Sequence, residues 1–230
     1  VSFEKPHRHY SHLMALVPFR VWDFDDKEAR DLAYRSLKWF LRSGRKKTGY
    51  SYTGVSSMYA ALGDGDKALE VLQGYHRRYG RPSTMYTEVG ERSPVIETPP
   101  SAARCVQDML LQSHYVIRIF PAVPTAWQNV AFDQLLAEGA FEVGAVREGG
   151  ETKFARIRSL AGEPCRVKVD MSDPVLVTSK GEIPLSPDKE GVITLDLKKG
   201  EEAVIAPKGF SGDLTIRPVA ISNPNYYGVK

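Results

Sequence analysis

The sequence contains few of the features that mark specialised protein classes. Only two of its 230 residues are cysteines, Cys105 and Cys165, and they lie in segments with the pattern of a helix and a strand. Their number and spacing exclude a dense disulfide framework and a zinc knuckle, and they leave the redox compartment open. No apolar stretch approaches the roughly 20 residues that a membrane helix needs. We therefore expect no membrane partner.

Charge of one sign is also scarce. The 31 Lys and Arg residues nearly balance the 28 Asp and Glu residues, and the net charge of +3 is dispersed along the chain. This balance excludes the basic surface of a nucleic-acid-binding protein. Val1–Tyr10 is polar, rich in His and begins without Met, so no secretion signal is visible. We interpret this end as a cut, and the localisation stays unknown.

The first half of the chain has the period of amphipathic helices. Apolar residues recur at steps of three and four, and Gly or Pro residues separate the periodic stretches. A tight turn between the second and third stretches indicates an antiparallel helical hairpin. The predicted helices run over 27–41, around Val55–Leu62, from Asp66 to Tyr79, and from an N-cap at Ser101 to about Phe120.

Pro121–Pro124 ends the helical pattern, because proline lacks an amide donor and biases the preceding residue toward extended backbone. Beyond it, apolar residues alternate with a period of two between Gly-rich turns, which is typical of an antiparallel β-sandwich. The alternating runs are Phe141–Ala145, Cys165–Val169, Ile193–Leu197 and Leu214–Ile216. We predict an α+β protein with a helical domain over residues 1–122, a β-sandwich over 123–220 and an irregular tail over 221–230.

Three polar clusters are candidates for function. The first, His7–Leu13, contains three imidazoles, Arg8 and a phenol. It fits a solvated loop, a clamp for sugar hydroxyls or a metal site, since neutral imidazole both ligates metals and bonds hydroxyls. No acidic residue or cysteine lies nearby at a convincing ligand spacing, so we expect no metal and no cofactor.

The second and third clusters combine aromatic and acidic residues. Tyr50 and Tyr52 stand where a helix begins, and Tyr86 and Glu88 precede the next one. Aromatic rings in such places often pack, but they also stack on the C–H faces of sugars. Glu97 lies two residues before Pro99, on stiff backbone where a helix starts, and is the best candidate for a general acid or base. The alternative is that Glu97 or Glu88 caps that helix or pairs with an arginine.

The order and spacing of these segments resemble the carboxy-terminal third of family 95 glycoside hydrolases, which include inverting α-L-fucosidases and α-L-galactosidases. The resemblance implies an (α/α)6 barrel of twelve helices followed by a smaller β-domain, so that this chain would be the end of the barrel plus that domain. The segments that carry it are His7–Leu13, Thr48–Ser51, Leu62–Ala68, Met109–His114 and Phe120–Trp127.

Position by position, the resemblance places the general base of the family at Glu97, preceded by Ile96. Glu97-Thr98-Pro99 stands where the family has Asp-Gly-Asn. Arg8 and His9 match the pair that holds substrate hydroxyls. The family's general acid lies upstream of Val1, so we expect the missing amino-terminal part of the enzyme as a partner, an oligo- or polysaccharide as substrate, and no activity from the isolated chain.

The substrate-binding residues that we predict are Arg8, His9, His12, Tyr50, Tyr52, Tyr86 and Glu88. Three alternatives remain at this stage. The departure at Glu97-Thr98-Pro99 is compatible with an α-L-rhamnosidase or another six-hairpin glycosidase. A non-catalytic carbohydrate-binding unit would use Tyr50, Tyr52, Tyr86 and Trp127. In a purely structural protein, the β-domain would only support the helices.

Overall fold

The structure is a computed structural model that describes residues 9–22, 26–42, 47–81, 86–88 and 93–220. Four α-helices come first: α1 (Lys27–Arg42), α2 (Gly49–Ala61), α3 (Gly65–Tyr79) and α4 (Thr98–Leu110), preceded by a 3₁₀ turn at Ser11–Leu13. Ten strands follow: β1 (Leu111–Gln112), β2 (Ile117–Ile119), β3 (Val130–Ala137), β4 (Phe141–Glu148), β5 (Glu151–Ser159), β6 (Pro164–Val169), β7 (Pro174–Thr178), β8 (Gly181–Pro184), β9 (Ile193–Asp196) and β10 (Glu202–Pro207). The predicted α+β class is confirmed.

The chain divides into two compact units. One contains the four helices together with Ala122–Pro124, and the other contains the strands. The exact boundary between residues 122 and 123 stays a prediction. The predicted tail over 221–230 lies outside the described residues.

Helix α2 forms the centre of the helical unit. Its residues from Thr53 to Ala60 are all buried, and many are small. A helix that is buried on every side belongs to the interior of a larger assembly of helices. The Ser56 hydroxyl donates to the Ala68 carbonyl at 2.8 Å, which joins α2 to α3. This contact and the short turn between them confirm the predicted helical hairpin.

The turn between α2 and α3 also fixes helix α1. Gly63 has a positive φ of 74°, which favours glycine, and the Asp64 carboxylate accepts a hydrogen bond from the Lys67 amide at the start of α3. The other oxygen of Asp64 accepts from the Tyr34 hydroxyl of α1 at 2.9 Å. Burial and Asp64 raise the pKa of Tyr34 to about 12, so this phenol remains a donor at neutral pH.

Helix α4 differs from its prediction at both ends. It begins at Thr98 rather than after Ser101, so the two prolines lie in its first turn, where their missing amide protons cost nothing. It ends at Leu110, about ten residues early. Residues 111–112 pair instead with β2, which pairs in parallel with β6. Sheet pairing decides the conformation of this short apolar segment, whose periodicity alone suggested helix.

The second unit is a mostly antiparallel β-domain of two sheets, as the alternation predicted. The four-stranded sheet has the order β1-β2-β6-β9, and the six-stranded sheet has the order β3-β4-β5-β10-β7-β8. Most of the residues that alternate in the predicted strands are buried, including Val143, Cys165 and Leu195. Burial raises the pKa of the Cys165 thiol to about 12, which makes it a packing residue.

The predicted strand at Leu214–Ile216 is wrong. Residues 211–220 have no regular structure, because the Arg156 side chain rather than a neighbouring strand binds the Leu214 carbonyl, at 2.7 Å. Pro218 also removes an amide donor from this segment. No helix in the described part of the chain is long and apolar enough to cross a membrane.

Candidate active site

The start of helix α2 lies against Glu88. One carboxylate oxygen of Glu88 is 3.4 Å from the Tyr50 amide nitrogen and 3.5 Å from the Thr98 hydroxyl. The Gly49 amide also points to the Glu88 carbonyl at 3.4 Å. Unpaired amides and the helix dipole make the start of a helix favourable for a carboxylate. Because Thr98 is the first residue of α4, Glu88 lies where α2 and α4 both begin.

Tyr50 also belongs to an aromatic group. Its ring stacks on Tyr10, with centroids 5.8 Å apart and planes 11° from parallel, and Tyr10 meets Phe40 edge-on. Burial, with a hydrogen bond to Tyr50, raises the pKa of Tyr10 above its usual value. Tyr10 is buried, whereas Tyr50 is 37% exposed. Tyr50 therefore presents an accessible face that a buried neighbour supports.

Gly54 makes the position of Tyr10 possible. A methyl group added at Gly54 would lie 2.1 Å from the Tyr10 ring, whereas one added at Gly74 in α3 would meet nothing within 4 Å. We expect Gly54→Ala to lower the stability and displace Tyr10. Gly74→Ala is expected to raise the stability by roughly 0.5–1 kcal/mol, since alanine is the better helix former. Urea unfolding of both variants checks this, and equal stability changes would contradict it.

His12 lies beside this group. Its imidazole meets Trp39 edge-on at 5.7 Å and Phe40 at 6.0 Å. Burial lowers the pKa of His12, so the imidazole is neutral at neutral pH and can bond a hydroxyl as donor or acceptor. His9 is exposed. Arg8, its predicted partner on the substrate, lies outside the described residues.

The predicted residues Tyr52 and Tyr86 belong to a second group of rings around α3. Tyr86 stacks on Tyr75 at 5.1 Å, and its hydroxyl is 2.8 Å from the His76 Nδ1. The Arg78 guanidinium hydrogen-bonds the Tyr52 hydroxyl. Both predicted tyrosines are half-buried, so they are partly committed to packing. Burial lowers the pKa of His76, which keeps it neutral beside Tyr86.

Glu97 immediately precedes helix α4. Its carbonyl accepts from the Ser101 amide at 3.1 Å, the first bond of the helix, while its side chain is exposed. Ile96 before it is 85% exposed. Thr98 after it is fully buried and contacts Glu88. The structure thus joins Glu88 to Tyr50 and to Thr98, and Glu97 directly precedes Thr98 with an exposed side chain.

Three residues of this region were not assigned from the sequence. Tyr10 supports Tyr50, Thr98 contacts Glu88, and Tyr75 supports Tyr86. Gly54, one helical turn after Tyr50, is the signal in the sequence that could have indicated a bulky side chain packed against α2. Within the residues that the structure covers, no group of three or more His, Cys, Asp or Glu side chains could hold a metal ion.

Comparison with protein families gives two matches. Residues 2–100 match the model described as the glycosyl hydrolase family 95 catalytic domain, and residues 112–205 match the model of the glycoside hydrolase family 95 C-terminal domain. No curated protein matches the sequence significantly. The two matched ranges correspond to the helical part and to most of the β-domain. Together they cover most of the chain.

Proposed function

This chain belongs to glycoside hydrolase family 95, and we propose that it is part of an enzyme that cleaves a terminal α-L-fucoside or related sugar with inversion at the anomeric carbon. Membership supports glycosidic-bond hydrolysis as the class of reaction. One observation carries the assignment to a site. The match to the catalytic domain extends through Glu97 to the first turn of α4, where Thr98 contacts Glu88.

In the proposed mechanism Glu97 is the general base. Its carboxylate takes a proton from water as the water oxygen attacks the anomeric carbon. A carboxylic acid elsewhere in the enzyme protonates the departing oxygen. In an inverting enzyme the two carboxyl groups are about 6.5–9.5 Å apart, which leaves room for the attacking water. Glu97 is exposed on this part of the enzyme, and the remaining barrel helices would enclose it beside the substrate in the proposed enzyme.

The residues around Glu97 would bind the sugar. Tyr50 offers an exposed ring for the C–H face of a sugar. The neutral imidazole of His12 and the exposed His9 would bond hydroxyls together with Arg8. Glu88 would fix the start of α2, and through it the Tyr50 ring, and could accept from a sugar hydroxyl with its remaining lone pairs.

Tyr52 and Tyr86 have a different proposed role from Tyr50. Both rings contact other side chains of the helical unit, through Arg78 and Tyr75 respectively. We place them at the periphery of the sugar site, where the hydroxyl of a half-buried tyrosine can hydrogen-bond a sugar hydroxyl. Their contribution to binding should therefore be smaller than that of Tyr50.

The remaining barrel helices would come from another part of the enzyme. The family resemblance implies twelve barrel helices, and the described residues contain four α-helices. Leu32 and Trp39 lie seven residues apart on one face of α1, at 44% and 38% exposure, whereas Ala33 and Leu37 on the neighbouring face are buried. Ile96 is still more exposed. Apolar side chains in these places are suited to contact further helices.

A panel of aryl glycosides tests the proposed function. The complete enzyme is expected to release nitrophenolate from the α-L-fucoside faster than from the α-L-galactoside or the α-L-rhamnoside. NMR of the first product should show the β-anomer. Release of the α-anomer first would contradict inversion, and hydrolysis of the rhamnoside alone would reassign the sugar.

A carbohydrate-binding unit without turnover is the second candidate. The exposure of both Glu97 and Tyr50 favours it, because neither side chain is enclosed by the described residues as a catalytic group usually is. Binding of fucosylated glycans by the complete protein, with no hydrolysis of any glycoside in the panel, would establish this candidate and exclude the enzyme.

A further inference from the structure

The β-domain contains a cavity of 720 Å³ that is separate from the residues discussed above. Ala131, Val146 and Phe154, from the neighbouring strands β3, β4 and β5, line one side. The other side is the segment Phe210–Ala220, which we call the strap. The volume falls within the roughly 300–1,000 Å³ of small-molecule sites.

The strap is bound to the sheet at three points. The Phe210 ring lies 6.2 Å from that of Phe154, the Leu214 carbonyl accepts from Arg156 at 2.7 Å, and Ile216 packs over Gly144. A methyl group at Gly144 would lie only 2.5 Å from the Ile216 Cδ1. These contacts make the cavity wall a fixed part of the domain.

Three cations line the cavity, and two of them have acidic partners. The Lys153 Nζ is 2.9 Å from Glu151, and Arg217 is 2.8 Å from Asp213. Arg147 is different, because its Nε is buried and has no hydrogen-bond partner among the described residues. Because the Nε is closed off from solvent, the terminal Nη atoms of Arg147 are the donors that face a ligand, and they can give a carboxylate the two parallel hydrogen bonds that it accepts.

The other lining groups are suited to a sugar ring. Phe154 and Phe210 provide aromatic surface, on which the C–H face of a sugar can pack. The Asn129 side-chain oxygen accepts from the Gly149 amide at 2.9 Å, which orients the amide so that its NH₂ end is the part it can offer to a ligand. Cationic, aromatic and amide groups therefore line one cavity, together with the carboxylates of Glu148 and Asp213.

We propose that this cavity binds an acidic sugar unit of a polysaccharide, with Arg147 holding the carboxylate and Phe154 and Phe210 contacting the ring. The choice of a sugar as the carrier of the carboxylate rests on the proposed function. The site would bind the glycan through the β-domain, independently of the chemistry at Glu97.

Calorimetric titration of the full-length protein with trigalacturonate tests the proposal, with neutral galactotriose and sodium acetate as comparison ligands. We expect saturable binding of trigalacturonate, at least tenfold weaker binding of galactotriose, and no competition by acetate at equal concentration. Arg147→Gln should weaken trigalacturonate binding by about tenfold or more, since it removes a charge-assisted pair. Arg166→Gln, an exposed cation on β6 outside the cavity, should leave the affinity unchanged.

Lys153→Gln is the second test variant and covers the case in which Arg147→Gln does not fold; it should weaken binding to a smaller extent. Four outcomes would each overturn the proposal. They are equal affinity for the acidic and neutral trisaccharides, equal effects of the Arg147 and Arg166 substitutions, displacement of trigalacturonate by acetate, and no saturable binding. Turnover is not measured in this experiment, so a negative result leaves the proposed function standing. Failure of the aryl-glycoside panel likewise leaves the binding result unchanged.

Discussion

Glu97→Gln in the complete enzyme is expected to lower kcat/KM by roughly 10²–10⁴-fold, the usual contribution of a positioned general base. The amide has the shape of the carboxylate but cannot accept the proton of the attacking water. The acidic limb of the pH profile of kcat/KM, which reports ionisation of the base, should disappear with it. Both quantities follow from initial rates on the aryl fucoside between pH 4 and 9.

The same substitution should leave the stability unchanged, because the Glu97 side chain is exposed and its backbone, not its carboxylate, forms the first bond of α4. Glu163→Gln, at an exposed glutamate of the β-domain, is the control and should retain full activity. Glu97→Asp shortens the side chain by one methylene, and a misplacement of about 1 Å can cost on the order of a hundredfold in rate. Near-normal turnover of Glu97→Gln would end the assignment of Glu97 as the base.

Asp108→Ala is expected to lower the free energy of unfolding by about 3–5 kcal/mol, the cost of breaking a buried ion pair by removing one partner. Asp108 is 2% exposed, and its Oδ1 accepts from Arg20 and from Arg104, each at 2.9 Å. The Arg20 guanidinium is itself nearly buried and would lose this ion pair. Urea unfolding of the complete enzyme, followed by fluorescence, measures the change.

The control for Asp108→Ala is Asp213→Ala. Asp213 pairs with Arg217 at a similar distance of 2.8 Å, but both side chains are more than half exposed. Exposed ion pairs contribute about 0–1 kcal/mol to the free energy of unfolding. Because the two pairs have similar lengths, a difference between the two alanine variants reports the effect of burial. Arg20 lies eight residues after His12 in the described segment 9–22, which also contains His9 and Tyr10, so Asp108→Ala should also raise KM for the glycoside. Equal unfolding energies for the two alanine variants would contradict the role of Asp108.

Most of the helical unit was predictable because its helices follow from the spacing of apolar residues along the sequence. The stripe of Ala33, Leu37 and Phe40 and the break at Gly63 depend on neighbouring residues alone, and the helices appear where expected. The end of α4 was not predictable in this way. Leu111 and Ile117 continue an apolar pattern, but Leu111 pairs with Ile119 of β2, and Ile117 of β2 pairs with Val167 of β6, fifty residues away.

The candidate site also contains features that the sequence predicted and features that it did not. Glu97, Tyr50 and Glu88 were identified from residue type, neighbouring prolines and family resemblance, and the structure puts all three near the start of α2 or α4. The support of Tyr50 by Tyr10 was not visible, because it requires two segments forty residues apart to pack at Gly54. Their roles with a substrate stay predictions.

The sequence by itself determined that this is a helical unit followed by an antiparallel β-domain, since the periods of 3.6 and 2 are properties of consecutive residues. It also determined the family, because the order and spacing of short motifs can be read from the sequence without a structure. Only the tertiary structure decided that Glu97 is exposed, that Glu88 contacts two helix starts, and that Arg147 lines a cavity with its Nε buried. Exposure and burial depend on which distant residues meet, and no local pattern records those contacts.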